Sequence, residues 1–197
     1  PQWLDIVNSI VQKQYLEGCN SAWRAERSLK EGRSAGATFV GLRFNNYQWE
    51  CDVLGDSCLV QVSNNQITKI LTSEEVSAFD NFPDYYDSNP QKDGKGQLLS
   101  DKGIIKEGET LLLVSDPFSD FLLKNKGSEF EQYLINQLLA INSHNEFEKL
   151  VDEWRLQGMH NDDSTLIIIK NDGSDSFYIS HEDDIEKLIV ESQSVLS

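Results

Sequence analysis

No stretch of this sequence approaches the roughly 18 consecutive apolar residues of a membrane-spanning helix. The opening residues, PQWLDIVNSI, carry no basic flank before a long apolar run, so they do not read as a signal peptide. Cysteine is scarce. Cys19, Cys51 and Cys58 stand at no metal-ligand spacing and form no CxxC pair, the pattern of reduced, mostly buried thiols in a cytoplasmic protein. Cationic side chains are short too, with 17 Lys and Arg against 33 Asp and Glu, a net charge of −16. Such a surface repels nucleic-acid phosphates and anionic lipid, so neither is expected as a partner. There is no Gly-x-x-x-x-Gly-Lys-Ser/Thr phosphate loop and no Gly-x-Ser-x-Gly nucleophile elbow. His144, His160 and His181 have no ligand spacing and read as surface residues.

What the chain does contain suits a sizeable core. Its 197 residues, 39% of them hydrophobic, fit one α/β domain over residues 1–197. It starts with Pro1 rather than Met, as a fragment or a processed form would. A 3/4-spaced apolar stripe predicts a helix over residues 2–30. Four strands joined by Asn and Gly turns follow, at Ala37–Phe44, Trp49–Leu54, Leu59–Ser63 and Ile67–Leu71, which implies antiparallel pairing. Residues 80–103, rich in turn formers, read as an exposed loop or flap. A strand at 110–115 leads into a helical region. Ser143 and Glu146 form a capping box that opens a helix, and Gly158 closes it. STLIIIK predicts a central strand covered on both faces, SFYIS a last strand, and EDDIEKLIVESQSVL a terminal helix.

Two acidic positions share a design. Asp116 closes the strand TLLLVS, and Asp162 precedes the strand Leu166–Ile169. If those strands are antiparallel neighbours, the two carboxylates converge at one end of the sheet. Hard cations such as Mg²⁺ and Mn²⁺ take oxygen ligands of this kind on rigid elements. The competing reading of Asp116 is a helix-capping residue, and of paired strand-end acids, ordinary turns.

Four segments in order, GATF, VLGDSCLVQV, EGETLLLVSDPFSDFLL and LVDEWRLQGMHNDDSTLIIIK, resemble the second half of a PP2C-type (metal-dependent, PPM) protein serine/threonine phosphatase domain. The resemblance covers roughly residues 30–170. It implies two antiparallel sheets forming a sandwich flanked by helices, with a two-metal site at one end holding Mn²⁺ or Mg²⁺. There, a metal-bound water attacks the phosphorus of phosphoserine or phosphothreonine while the cations neutralise developing charge. Position by position, Asp116 and Asp162 fall on the family's metal-ligating aspartates. Asp163 falls beside the second as an outer-shell group. Asp56 falls on an aspartate that helps hold an additional metal in some members, or is simply a hairpin turn residue. The loop at 80–103 matches a variable flap. The implied partner is a phosphorylated protein substrate in signalling, with a kinase or other module as a further partner.

The departures are specific. The family's Ser-Asp-Gly reads Ser115-Asp116-Pro117 here. The family's phosphate-binding Arg, an early acidic ligand and an Asp-Gly-x-x-Gly motif have no counterpart before GATF, and Asp93-Gly94 and Asp172-Gly173 come in the wrong order. The N-terminal part of the domain is therefore expected to be missing from this sequence. The alternative is a catalytically degenerate phosphatase-like module acting through protein–protein interaction.

Overall fold

The computed structural model describes residues 36–72, 84–87 and 96–173. The expected N-terminal helix, the strand in SFYIS and the terminal helix lie outside them, as does half of the expected flap. Nine strands are present among the described residues: β1 (Gly36–Ala37), β2 (Phe39–Asn45), β3 (Gln48–Leu54), β4 (Cys58–Ser63), β5 (Gln66–Leu71), β6 (Tyr86–Asp87), β7 (Leu99–Ile104), β8 (Thr110–Val114) and β9 (Leu166–Lys170). Three helices, α1 (Asp116–Asn125), α2 (Glu131–Leu139) and α3 (His144–Leu156), fill the interval between β8 and β9.

Local chemistry sets the hairpins. The β4–β5 turn places Asn64 and Asn65 at φ 51° and 57°, the left-handed pair that Asn tolerates in tight hairpins, and Asn46 (φ 55°) serves the β2–β3 turn. The two hairpins do not share a sheet. One sheet has the order β2-β3-β7 and the other β5-β4-β8-β9, with every pairing antiparallel; β1 and β6 make a separate short pair. The chain crosses between sheets through Gly55-Asp56-Ser57. Gly55 (φ +95°) is squeezed there, since a Cβ would lie 2.5 Å from Thr38 Cγ2 and 2.7 Å from the Asp84 carbonyl. Only glycine fits such a crossing without a shift.

Alternation along the strands then builds three layers. Trp49, Cys51 and Val53 of β3 meet Leu59, Leu71 and Leu111 of the second sheet. The opposite face of that sheet, with Cys58, Val60, Val62, Leu112 and Val114, packs on Phe118, Phe121, Leu122, Leu134, Leu138 and Trp154 of the helices. Phe118 stands edge-on to Trp154 at 5.5 Å between ring centroids, and the Trp154 indole N–H donates to Gln137 Oε1 at 2.9 Å. Each such buried side chain contributes about 1.5–3 kcal/mol, which holds the helices against the sheet.

The helix boundaries follow the predicted signals. Ser143 caps α3 by accepting from the Glu146 N–H, while the Glu146 carboxylate accepts from the Asn142 N–H at 2.8 Å. Two expectations fail. Residues 99–104 form β7 rather than loop, because Gly103 lets the strand lie against the Trp49 ring and Asp101 pairs with Lys69 at 2.6 Å. And β9 ends the order of its sheet among the described residues, with Ile167 50% exposed, so β4 and β8 are the central strands.

Candidate metal centre

Strand register assembles the site. β8 and β9 pair antiparallel with Val114 opposite Leu166, so Asp116, just past one strand, meets Asp162, just before the other. Ser115 fastens that junction. Its N–H donates to the Thr165 carbonyl (3.1 Å), its Oγ accepts from the Thr165 N–H (2.9 Å) and donates to the Asp163 carbonyl (3.2 Å).

Asp116 is the first residue of α1. Ser115 occupies the N-cap, so Asp116 is not the capping residue, and Pro117 lies in the first turn. A missing N–H costs nothing there, because first-turn N–H groups have no partner within the helix. The departure from the family's glycine therefore leaves the backbone at Asp116 undisturbed. One turn on, buried Ser119 donates to the Ser115 carbonyl (3.2 Å) and to Cys58 Sγ (3.1 Å), which ties α1 to the start of β4 and the Asp56 crossing.

The other strand end is shaped by the end of α3. Gly158 (φ +105°) donates to the Arg155 carbonyl and Met159 to the Trp154 carbonyl, a Schellman turn closed by the buried Met159 against the same core as Trp154. The turn delivers His160, Asn161 and Asp162 to the rim. Arg155 Nη2 donates to the Asp162 carbonyl (2.8 Å), and the Asp163 N–H donates to Asp162 Oδ1 (2.8 Å).

Ligand atoms of Asp116, His160 and Asp162 lie within 4.8 Å of one another. Asp56 is half-buried and coupled to both aspartates: burial, then Asp162, pushes its carboxyl up against two backbone hydrogen bonds. Burial likewise raises Asp116, with Asp56 and Asp162 adding to it, to about 6. Among the described residues no Lys or Arg forms an ion pair with Asp56, Asp116 or Asp162. Asp56 sits in a crossing between sheets and not in a hairpin turn. Asp163 is exposed and contributes its backbone, its carboxylate standing outside the three-residue cluster. His160 is exposed, as expected of it, but its place beside the two aspartates had no signal in residue spacing. Asp172-Gly173 lies beyond the opposite end of β9. A groove of about 440 Å³ lined by residues that include Arg43, Trp49, Lys102 and Ile104 opens at the end of β3 remote from Asp56.

No protein-family model and no curated protein matches the sequence. Solved structures do match. PppA, a regulatory component of T6SS in Pseudomonas aeruginosa, is 16% identical over 86% of this chain and 70% of its own, with a TM-score of 0.53. The matched structures are PP2C-type (PPM) serine/threonine phosphatases. The fold here is the PP2C-type fold. The photosystem II phosphatase PBCP matches over 61% of this chain at 18% identity and a TM-score of 0.46, and this chain spans only 44% of its length. The catalytic domain of the phosphatase PstP, solved with 2 manganese ions, is 16% identical over 68% of this chain and 57% of its own, at a TM-score of 0.44. At such identities the likeness is one of PP2C-type architecture alone.

Proposed function

We propose that this chain is a PP2C-like, metal-dependent protein serine/threonine phosphatase domain that hydrolyses phosphoserine or phosphothreonine in a protein substrate. The observation that carries the reading is the convergence of Asp116 and Asp162 at one end of the β8–β9 pair, on the fold in which that position matters. The donor set fits a divalent cation: two carboxylates and an imidazole, with Asp56 close by and, among the described residues, no Lys or Arg ion-paired to these aspartates. Asp116 and Asp162 would hold the ion. When bound, Mn²⁺ or Mg²⁺ supplies Lewis acidity and charge neutralisation for phosphate hydrolysis. The chain's own residues orient the ligands. α1 fixes Asp116 on a rigid turn, and the Asp163 N–H holds one oxygen of Asp162, which restrains that carboxylate beside Asp116. A second ion needs donors beyond this group. No helix among the described residues is long and apolar enough to cross a membrane. Cys51 and Cys58 are buried, free and pushed up to about 12 by burial, in keeping with a cytoplasmic location.

The test is Mn²⁺-dependent hydrolysis of a phosphopeptide by the full-length natural protein. Asp116→Asn is expected to lower kcat/KM by about a thousandfold, the several kcal/mol that metal-assisted charge stabilisation supplies. Activity unchanged by that substitution sinks the proposal. A degenerate, partner-binding module is the second reading. It is favoured by Asp172-Gly173 standing at the far end of β9 and by the two described arginines being engaged already: Arg43 pairs with Glu50 on the other sheet, and Arg155 with Asp152 and the Asp162 carbonyl. Calorimetry showing micromolar Mn²⁺ binding by the full-length protein refutes it.

A further inference from the structure

The two described histidines have different surroundings. His144 Nε2 lies 3.4 Å from Glu148 on its own helix and its ring tilts over Phe147. The His160 ring has no hydrogen-bond or ion-pair partner among the described residues, yet it stands with Asp116 and Asp162 inside a 4.8 Å triangle. Its backbone is not adrift. The Schellman turn fixes Met159 immediately before it, and the Asp162 N–H donates to the His160 carbonyl at 3.2 Å. An exposed side chain on a fixed backbone, aimed at two carboxylates, is how a chain presents a ligand and not how it solvates a loop.

From this we infer that His160 is itself a ligand of the bound ion, and that its nitrogen makes the site prefer a first-row transition ion, with Mn²⁺ as the usable probe, over Mg²⁺. The inference rests on the phosphatase reading and deepens it by choosing between the two cations. Opposite donors on one ion at about 2.1 Å stand about 4.2 Å apart, so small rotations of the exposed His160 and Asp162 side chains close the triangle around Asp116. Carboxylate and water suit Mg²⁺ and Mn²⁺ alike, whereas imidazole favours transition ions, so one nitrogen is enough to separate them.

The experiment loads the full-length natural protein with Mn²⁺ and reads electron spin-echo envelope modulation, alongside calorimetric affinities for Mn²⁺ and Mg²⁺. Nitrogen modulation of an imidazole ligand is expected in the wild type and is lost in His160→Gln. In that variant Mn²⁺ affinity falls at least as far as the about 10- to 100-fold that removing a neighbour of a ligand costs, while Mg²⁺ affinity changes little. His160→Asp, which offers oxygen instead, is expected to lower the Mn²⁺ over Mg²⁺ preference without abolishing binding. Stoichiometric Mn²⁺ with no nitrogen modulation, or an unchanged metal preference in His160→Gln, overturns the inference and leaves the phosphatase reading standing. No Mn²⁺ binding at all overturns both.

Discussion

Two acids bracket strand β8, Glu109 before it and Asp116 after it, and their surroundings are opposite. The Glu109 carboxylate accepts from Gln61 Nε2 and from the Lys106 N–H, each at 2.9 Å. Around it the strand ends are closed by backbone bonds, with Gly108 donating to the Asn171 carbonyl (2.8 Å) and Asn171 to the Glu109 carbonyl (3.1 Å). At the other end Asp116 meets Asp56 and Asp162, and its carboxyl is pushed upward by burial and by those like charges. One acid is a finished structural joint. The other is held in a repulsion that the fold tolerates, a placement that does not serve stability and is in line with the cation site proposed above.

The largest effect expected from this contrast is at the finished joint. Glu109→Ala leaves the Lys106 N–H without its partner and should cost about 1.5–3 kcal/mol, the usual loss for hydrogen bonds to a charged group. Glu109→Gln, which keeps an acceptor, should recover part of it. Urea unfolding measures both. If Glu109→Ala is neutral, that end of β8 is not the structural one.

Asp116→Asn should do the reverse. The folded carboxyl binds its proton more tightly than the unfolded chain does, so between about pH 4 and 6 the native state holds more protons and stability falls as pH rises. The contribution is fully present below the unfolded value and is lost as pH passes through about 6. Discounted for solvent screening, the penalty at pH 7.5 is roughly 1–2 kcal/mol. Metal-free Asp116→Asn should therefore be more stable than the wild type at pH 7.5, and the gap should close by pH 4. Thermal melts in chelator decide it; a less stable variant at pH 7.5 removes the electrostatic argument for the site.

Much of this was legible in the sequence, for identifiable reasons. Asn-Asn turns, the Ser143–Glu146 capping box and Gly158 are local signals, and the local structure obeys them. The meeting of Asp116 and Asp162 followed once β8 and β9 were taken as antiparallel neighbours. What stayed hidden was non-local. Gly55-Asp56-Ser57 has the composition of a hairpin turn, and nothing in it announces a crossing between sheets; that is decided by where Thr38 and Asp84 pack on Gly55. Asp101 and Gly103 look like loop residues until Lys69 and the Trp49 ring stand beside them. His160 has no ligand spacing because its partner Asp116 lies far upstream, brought near only by the sheet.

The smallest expected effect separates the two ends most cleanly. Gly108 (φ +80°) and Gly158 (φ +105°) both occupy the left-handed region, and a Cβ on either would meet nothing within 4 Å. Alanine at each position therefore carries a backbone cost alone, about 1 kcal/mol, and the two variants should unfold alike. Their consequences for metal should differ. Gly108 turns the chain beside Glu109, whereas Gly158 sets the Schellman turn that aims His160 and Asp162, so only Gly158→Ala moves two donors relative to Asp116. Mn²⁺ affinity should fall several-fold in Gly158→Ala and hold in Gly108→Ala at matched stability. Equal losses would mean that affinity follows global stability. Equal retention would mean that the exposed donors find the ion without the turn, leaving Asp116 on the rigid start of α1 as the position the fold must keep.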